Sequence, residues 1–405
     1  MNDWENSTDT QLLPGEEINS WEPGQKGEPY RSDESINDKY VRGETRIVTE
    51  QARYPLNTIV SLVKSGNYIL NPEYQRRHRW SVEKKSKFIE SFIINVPIPP
   101  IFLYEVDYSV YEVMDGLQRL TAVSQFYQNQ FRLDGLTLWP ELNGKNYSEL
   151  PEKIKRGIDR RYLSSIILLL ETSKDDKTKE EYLKQLVFER LNSGGEKINA
   201  QESRNALYNG RLNQLCISLA RNKYFCELWR IPPPTDNEDE YPSEALLNNE
   251  RYKEMADVEL VLRFFAYRQL NKRDSFQSLK DFLDEYLKHG NNFDENLLVE
   301  LANLFNKTVL FVYELLGSNA FVLKRKEPTI VLYDPIMYTL SLSRLLSKKN
   351  ILLQKKEQIQ DEIERFYDEK NEDNRRNFEG RFQNKSDVKH RIDLLISFFE
   401  KYINE

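Results

Sequence analysis

The clearest pattern of apolar and polar positions lies between residues 101 and 128. Ile101 to Val106 and Ser109 to Met114 alternate as strands do, and the Asp107-Tyr108 turn between them predicts a hairpin. The alternation stops at Asp115-Gly116. Leu120, Val123, Phe126 and Tyr127 then recur at helical spacing, which predicts a helix over Leu117 to Gln128 with Gln118 and Arg119 in its first turn. Backbone N–H groups are unpaired there and the helix dipole is positive, so such a terminus suits phosphate.

The same reading extends in both directions. A helix is predicted near Asn57 to Lys64, followed by Tyr68-Ile69-Leu70. Ser81 is positioned to cap a helix that buries Phe88, Ile89, Phe92 and Ile93 and turns Glu83, Lys84 and Lys87 outward. Val96-Pro97-Ile98-Pro99-Pro100 forbids its continuation. Tyr162 to Glu171 reads as a buried strand, completing a small mixed sheet. A helix over Lys177 to Leu191 ends at Asn192-Ser193-Gly194-Gly195, and helix resumes around Ala200 to Tyr208. Beyond that point the chain reads as helical, with amphipathic segments at Asp257 to Leu270, Asn296 to Leu316, Asp334 to Leu346, Leu352 to Glu369 and Val388 to Tyr402. Ile231 to Glu244, with three consecutive prolines and an acidic cluster, breaks the pattern and marks a linker there or shortly before.

Charge changes this picture at one end. The 405 residues carry a net charge of −7, and residues 1 to 45 alone account for it with eleven acidic and four basic side chains. That segment has no sustained periodicity and reads as a mobile acidic tail, residues 46 to 405 being neutral overall. Three units follow: a tail over 1 to 45, a mixed-sheet domain over 46 to 210, and a helical domain over 211 to 405 broken at 231 to 244. The fold class is α+β. No apolar stretch approaches the length needed to span a bilayer and no signal peptide is evident, so the expected location is cytoplasmic, with no membrane partner. Cys216 and Cys226 match no zinc pattern and are expected to be buried thiols.

Three polar clusters lie at helix boundaries: Gln75-Arg76-Arg77-His78-Arg79-Trp80, Asp115-Gly116-Leu117-Gln118-Arg119, and the segment from Phe188 through Asn192 and Gly194-Gly195 to Asn199. Arginine forks bind phosphate oxygens bidentately, and a carboxylate at the C-terminal end of a strand can hold Mg²⁺ or orient a water. Each cluster also has an ordinary structural reading, as a solvated basic face, a turn, or a C-cap. Their joint occurrence favours a phosphate site. Gln75, Arg76, Gln118 and Arg119 are then expected to contact phosphates, Gly116 to let the backbone approach, Asn192 to complete the site, and Asp115 to act as metal ligand or water orienter. His78 could carry a proton, although a surface histidine in a basic run is the commoner state.

The combination of Pro72-Glu73-Tyr74-Gln75-Arg76 with Trp80-Ser81, Pro97-Ile98-Pro99, Asp115-Gly116-Leu117-Gln118-Arg119-Leu120-Thr121 and Leu191-Asn192-Ser193-Gly194-Gly195 resembles the GmrSD-type N-terminal domain family, related to ParB and sulfiredoxin. The resemblance covers residues 50 to 210 well, with a weaker echo in Arg251, Asp257, Glu259, Arg263 and Arg391. It implies a ParB/sulfiredoxin-like domain, followed here by helices, that binds a nucleoside triphosphate with Mg²⁺ and hydrolyses it within an anti-phage or restriction-type DNA-defence system. In that family the signature reads Asp-Gly-Gln-Gln-Arg; Leu117 stands here in place of its first Gln. The separate His-Asn-His nuclease domain often joined to such proteins has no counterpart, because His78, His289 and His390 are scattered. Catalytic roles accordingly fall to Asp115, Gln118 and Arg119, and the partners to DNA or another defence protein, with self-association left open. Two alternatives stand beside this: a phosphodiester-cleaving nickase with Asp115 and Glu73 or Glu112 around metal, and a non-enzymatic DNA- or protein-binding module.

Overall fold

The computed structural model describes residues 12–18, 32–42, 47–70, 77, 80–169, 183–188, 190, 199–238, 242–270, 278–323, 327–372, 377–378 and 384–404. The chain divides into two compact units, one formed by Gly24–Asn199 and the other by Met1–Pro23 together with Ala200–Glu405. The sheet-bearing unit is thus an insertion between two parts of the helical one.

The insertion is built on a five-stranded mixed sheet. Its strands are β1 (Thr49–Pro55), β2 (Tyr68–Ile69), β3 (Ile101–Asp107), β4 (Val110–Asp115) and β5 (Tyr162–Leu168), in the order β1-β5-β3-β4-β2. β3 and β4 form the expected antiparallel hairpin, but the turn falls one residue later, at Tyr108-Ser109, with Ser109 at φ 60°. β5 lies parallel to β3 and antiparallel to β1, an edge strand that the sequence pattern did not reveal. Its burial is too shallow to alternate cleanly, and its register with β5 is set by residues more than a hundred positions away.

One face of this sheet holds the core. Ile101, Leu103, Val113, Leu163 and Ile167 meet Leu56 of the short 3₁₀ helix Leu56–Thr58, and Ile59, Ile89, Phe92, Leu117, Leu120, Val123 and Phe126 from the helices Ile59–Lys64, Val82–Ile93 and Leu117–Tyr127. Phe92, Leu120 and Val123 are buried as expected, whereas Phe88 is half-buried and packs edge-on against Trp80 and Phe92. Ser81 caps its helix by accepting a hydrogen bond from the Lys84 amide. Two buried polar side chains of that helix fasten the loop beyond residue 130: Glu90 Oε1 accepts from the amides of Leu138 (3.0 Å) and Trp139 (2.9 Å), and Ser86 Oγ accepts from the Asp134 amide (2.9 Å).

The helical unit has its own apolar core, which takes in Ile18 and residues from Tyr208 to Tyr402 and includes Cys216 and Cys226 as buried cysteines outside any disulfide; burial pushes the Cys216 thiol up from its ordinary pKa. Three boundaries differ from the sequence reading. Helix Ala200–Leu207 belongs to this unit rather than to the sheet, because buried Arg204 is held by Glu259 (2.8 Å) and Asp284 (2.6 Å). The proline-rich break does not separate units, since Arg221 ties it back through the Pro232 carbonyl (2.9 Å) and Glu238 (2.6 Å). The mobile tail expected over residues 1 to 45 is corrected for residues 12–18, which are docked in the helical unit through Ile18 and fully buried Glu16. A carboxylate so deeply buried needs a partner, and Arg268, 252 positions along the chain, supplies it at 2.6 Å.

Candidate phosphate-binding junction

The junction between β4 and the helix Leu117–Tyr127 depends on two local devices. The first is Gly116, the residue before the helix, which has φ 92° and accepts the first helical hydrogen bond from Leu120. That conformation suits glycine, and a Cβ there would lie 2.4 Å from Ile101 Cγ2. The fold itself therefore demands this glycine, whatever approaches it from outside.

The second device is a bulge in β4. Leu103 faces Val113 and Phe102 faces Asp115, so Met114 is an extra residue. Directly opposed residues of an antiparallel pair point to the same face. Leu103 and Val113 share the core face, while Tyr104–Glu112 and Phe102–Asp115 share the other. Without the bulge, Glu112 and Asp115, three residues apart, would point in opposite directions. With it, both carboxylates are on the second face.

Residues 183–188 are helical and pack on that same face. Lys184 forms an ion pair with Glu112 and stands 5.2 Å from the centre of the Tyr104 ring. Residues 183–188 are thereby fixed to the face that carries Asp115. Asn192 itself lies outside the described residues, as do Gln75, Arg76, His78 and Glu73.

The remaining candidates meet at the first helical turn. Arg119 donates through Nη2 to Asp115 Oδ2 at 2.5 Å, and through Nη1 to the carbonyls of Pro99 (2.7 Å) and Pro100 (3.0 Å). Its guanidinium is thus already engaged, with a side-chain exposure of 13% against 41% for Asp115. Gln118 turns the other way and accepts a hydrogen bond from the Trp80 amide at 3.2 Å, which brings the end of the arginine-rich segment to the junction. Its Nε2 is buried and has no hydrogen-bond partner among the described residues. The first turn carries no acidic residue that would compete for its N–H groups.

Among the described residues no group of three or more His, Cys, Asp or Glu could hold a metal ion. Asp115, with one oxygen engaged by Arg119, could serve as one protein ligand beside substrate phosphates, the usual way Mg²⁺ is bound with nucleotides. Glu112 is committed to Lys184.

Sequence reasoning named Trp80 within the arginine-rich cluster but missed Lys184, Tyr104 and the Pro99 and Pro100 carbonyls as parts of the site. The proline run was a usable signal, because it offers carbonyl acceptors free of any helix; Lys184 carried none.

Residues 56–209 match the family model described as GmrSD restriction endonuclease, N-terminal domain. No curated protein and no solved structure matches the chain. No helix among the described residues is long and apolar enough to cross a membrane.

Proposed function

We propose that this GmrSD-type domain is the nucleotide-binding, Mg²⁺-dependent nucleotide-hydrolysing part of a restriction-type DNA-defence component. The observation that carries this reading is the junction itself. A helix N-terminus without a side-chain cap or an acidic residue, a buried Gln118 amide nitrogen with no hydrogen-bond partner among the described residues, and a partly exposed Asp115 carboxylate converge on one short stretch. Helix N–H groups and the amide offer donors to an anion, and Asp115 offers one acceptor.

Within this reading the residues divide their work. Gln118 and the first-turn N–H groups hold phosphate oxygens. Gln75, Arg76 and Asn192 join them from their flanking segments. Asp115 orients a water or shares Mg²⁺ with the phosphates, and Arg119 is the group that positions Asp115. Bound Mg²⁺ would neutralise developing charge on the phosphates. DNA or a defence-system partner is the expected object of regulation.

A thermal-shift screen of the eight common nucleoside triphosphates with Mg²⁺ tests the reading, because a ligand that binds only the native state raises its melting temperature. A stabilising triphosphate whose effect disappears in Gln118→Ala supports it. Absence of any shift or phosphate release from folded protein overturns it. The ion pair between Glu112 and Lys184 speaks against Glu112 as the second metal ligand of a nickase; the nickase reading predicts plasmid nicking that is lost in Asp115→Ala.

A further inference from the structure

The docked segment 12–18 has the construction of a peptide ligand. Leu13-Pro14-Gly15-Glu16 forms a tight turn closed by the Glu16 amide donating to the Leu13 carbonyl at 3.0 Å, with Gly15 at φ 83°. The Leu13 amide in turn donates to Glu16 Oε2 at 2.7 Å. The turn thus carries two hydrogen bonds within its own atoms. A preorganised ligand loses little freedom on binding.

The receiving side is equally specific. Arg268 grips the carboxylate with two parallel bonds, Nε to Oε1 at 2.6 Å and Nη2 to Oε2 at 2.8 Å, the geometry that suits a guanidinium fork. Gln269 Nε2 donates to the Glu16 carbonyl at 2.7 Å. Ile18 enters the helical core, Leu13 packs against it, and the space at Gly15 is bounded by Leu297 Cδ2, 3.8 Å from an ideal Cβ. Arg268 and Gln269 directly follow helix Ala256–Tyr267, so the chain places them without help from the segment.

We propose that the helical unit carries a short-peptide site, filled in this chain by residues 12–18, that recognises a Pro-Gly turn followed by a glutamate and an apolar residue. The site is a receptor for the protein's own strap, and the same chemistry admits a matching peptide in trans once the strap leaves. A tethered ligand competes at an effective concentration set by its connection to the site, which keeps the site closed to weak competitors.

The test uses the full chain and a fluorescent peptide of residues 10 to 20. In anisotropy titrations the peptide is expected to bind Glu16→Ala protein at least about tenfold more tightly than wild type, since the variant's own strap no longer competes. A peptide carrying Glu16→Gln is expected to lose about the same factor, its neutral amide being a weaker partner for Arg268. Because Glu16→Ala takes the carboxylate away from the buried Arg268 guanidinium and can unfold the unit, a second measurement uses wild-type protein. There, unlabelled peptide in excess should accelerate hydrogen exchange of residues 12–18 while leaving helix Ala256–Tyr267 protected. Failure of the peptide to bind folded Glu16→Ala protein overturns the proposal. So does exchange of residues 12–18 that rises only together with the whole helical unit, which would make the segment a fixed part of the core.

Discussion

Arg119 reaches back one helical turn to Asp115 at 2.5 Å and, with the same guanidinium, holds the carbonyls of Pro99 and Pro100. One side chain thereby ties the proline run, the end of β4 and the start of the following helix together. It also fixes the carboxylate that the proposed chemistry needs.

Arg119→Lys is expected to weaken this tie, because a single ammonium cannot reproduce the fork. The loss of stability should be about 1–3 kcal/mol, with the Asp115 contribution reduced by its contact with water. Urea denaturation measures it. If Arg119 positions Asp115, nucleotide hydrolysis should fall further than nucleotide binding; equal losses would assign Arg119 a direct contact with the ligand.

Gly116→Ala should be more damaging than its size suggests. The added methyl would meet Ile101 Cγ2 at 2.4 Å in a backbone conformation that side chains rarely adopt. A cost of about 2–4 kcal/mol follows from overpacking and positive φ together. Gly144→Ala, where φ is 83° but no atom lies within 4 Å, should cost less, and comparing their denaturation midpoints separates the two effects.

In the helical unit, Arg263 and Asp334 form a buried, doubly bonded pair, with Arg263 Nε donating to Asp334 Oδ1 at 3.1 Å and Nη2 donating to Oδ2 and to the Tyr267 hydroxyl. Asp334→Ala leaves the guanidinium without its carboxylate and should cost about 3–5 kcal/mol. Replacing both residues, as in Arg263→Met with Asp334→Leu, should cost less than the two single changes added together. A double-mutant cycle by chemical denaturation checks this, and additivity would dissolve the pair as an energetic unit.

Glu362 predicts a dependence on pH. It accepts from the Tyr402 hydroxyl (2.6 Å), Gln358 Nε2 (3.0 Å) and Lys401 Nζ (3.0 Å), and these bonds, the tyrosine's foremost, lower its pKa from 4.5 to about 2. A carboxyl whose folded pKa is depressed contributes stability that is present above the unfolded value and lost as pH falls through the folded one. The melting temperature of wild type should therefore exceed that of Glu362→Gln at neutral pH, and the difference should close between pH 4.5 and about 2. A difference that stays constant over this range would assign the effect to packing instead.

The hairpin, the capped helix at Ser81, the helix after Gly116 and the largely helical second half were all legible, because each rests on neighbours within one or two turns of chain. The end of the strand at Asp115 and the helix start after Gly116 were legible for the same reason. The division of labour at that junction was not. Arg119 read as a free phosphate ligand because the Pro99 and Pro100 carbonyls that occupy it lie about twenty residues away.

The sequence by itself determined the periodicities, the cap and turn positions, the α+β class and the place where polar groups gather. Only the tertiary structure decided that β1 joins the sheet, that a bulge at Met114 turns Glu112 and Asp115 to one face, and that Glu16 is buried against Arg268. The physical reason is the range of the forces involved. Backbone preference and amphipathic spacing act between near neighbours, whereas strand register, the burial of a charge and the choice of its partner depend on what the rest of the folded chain brings alongside.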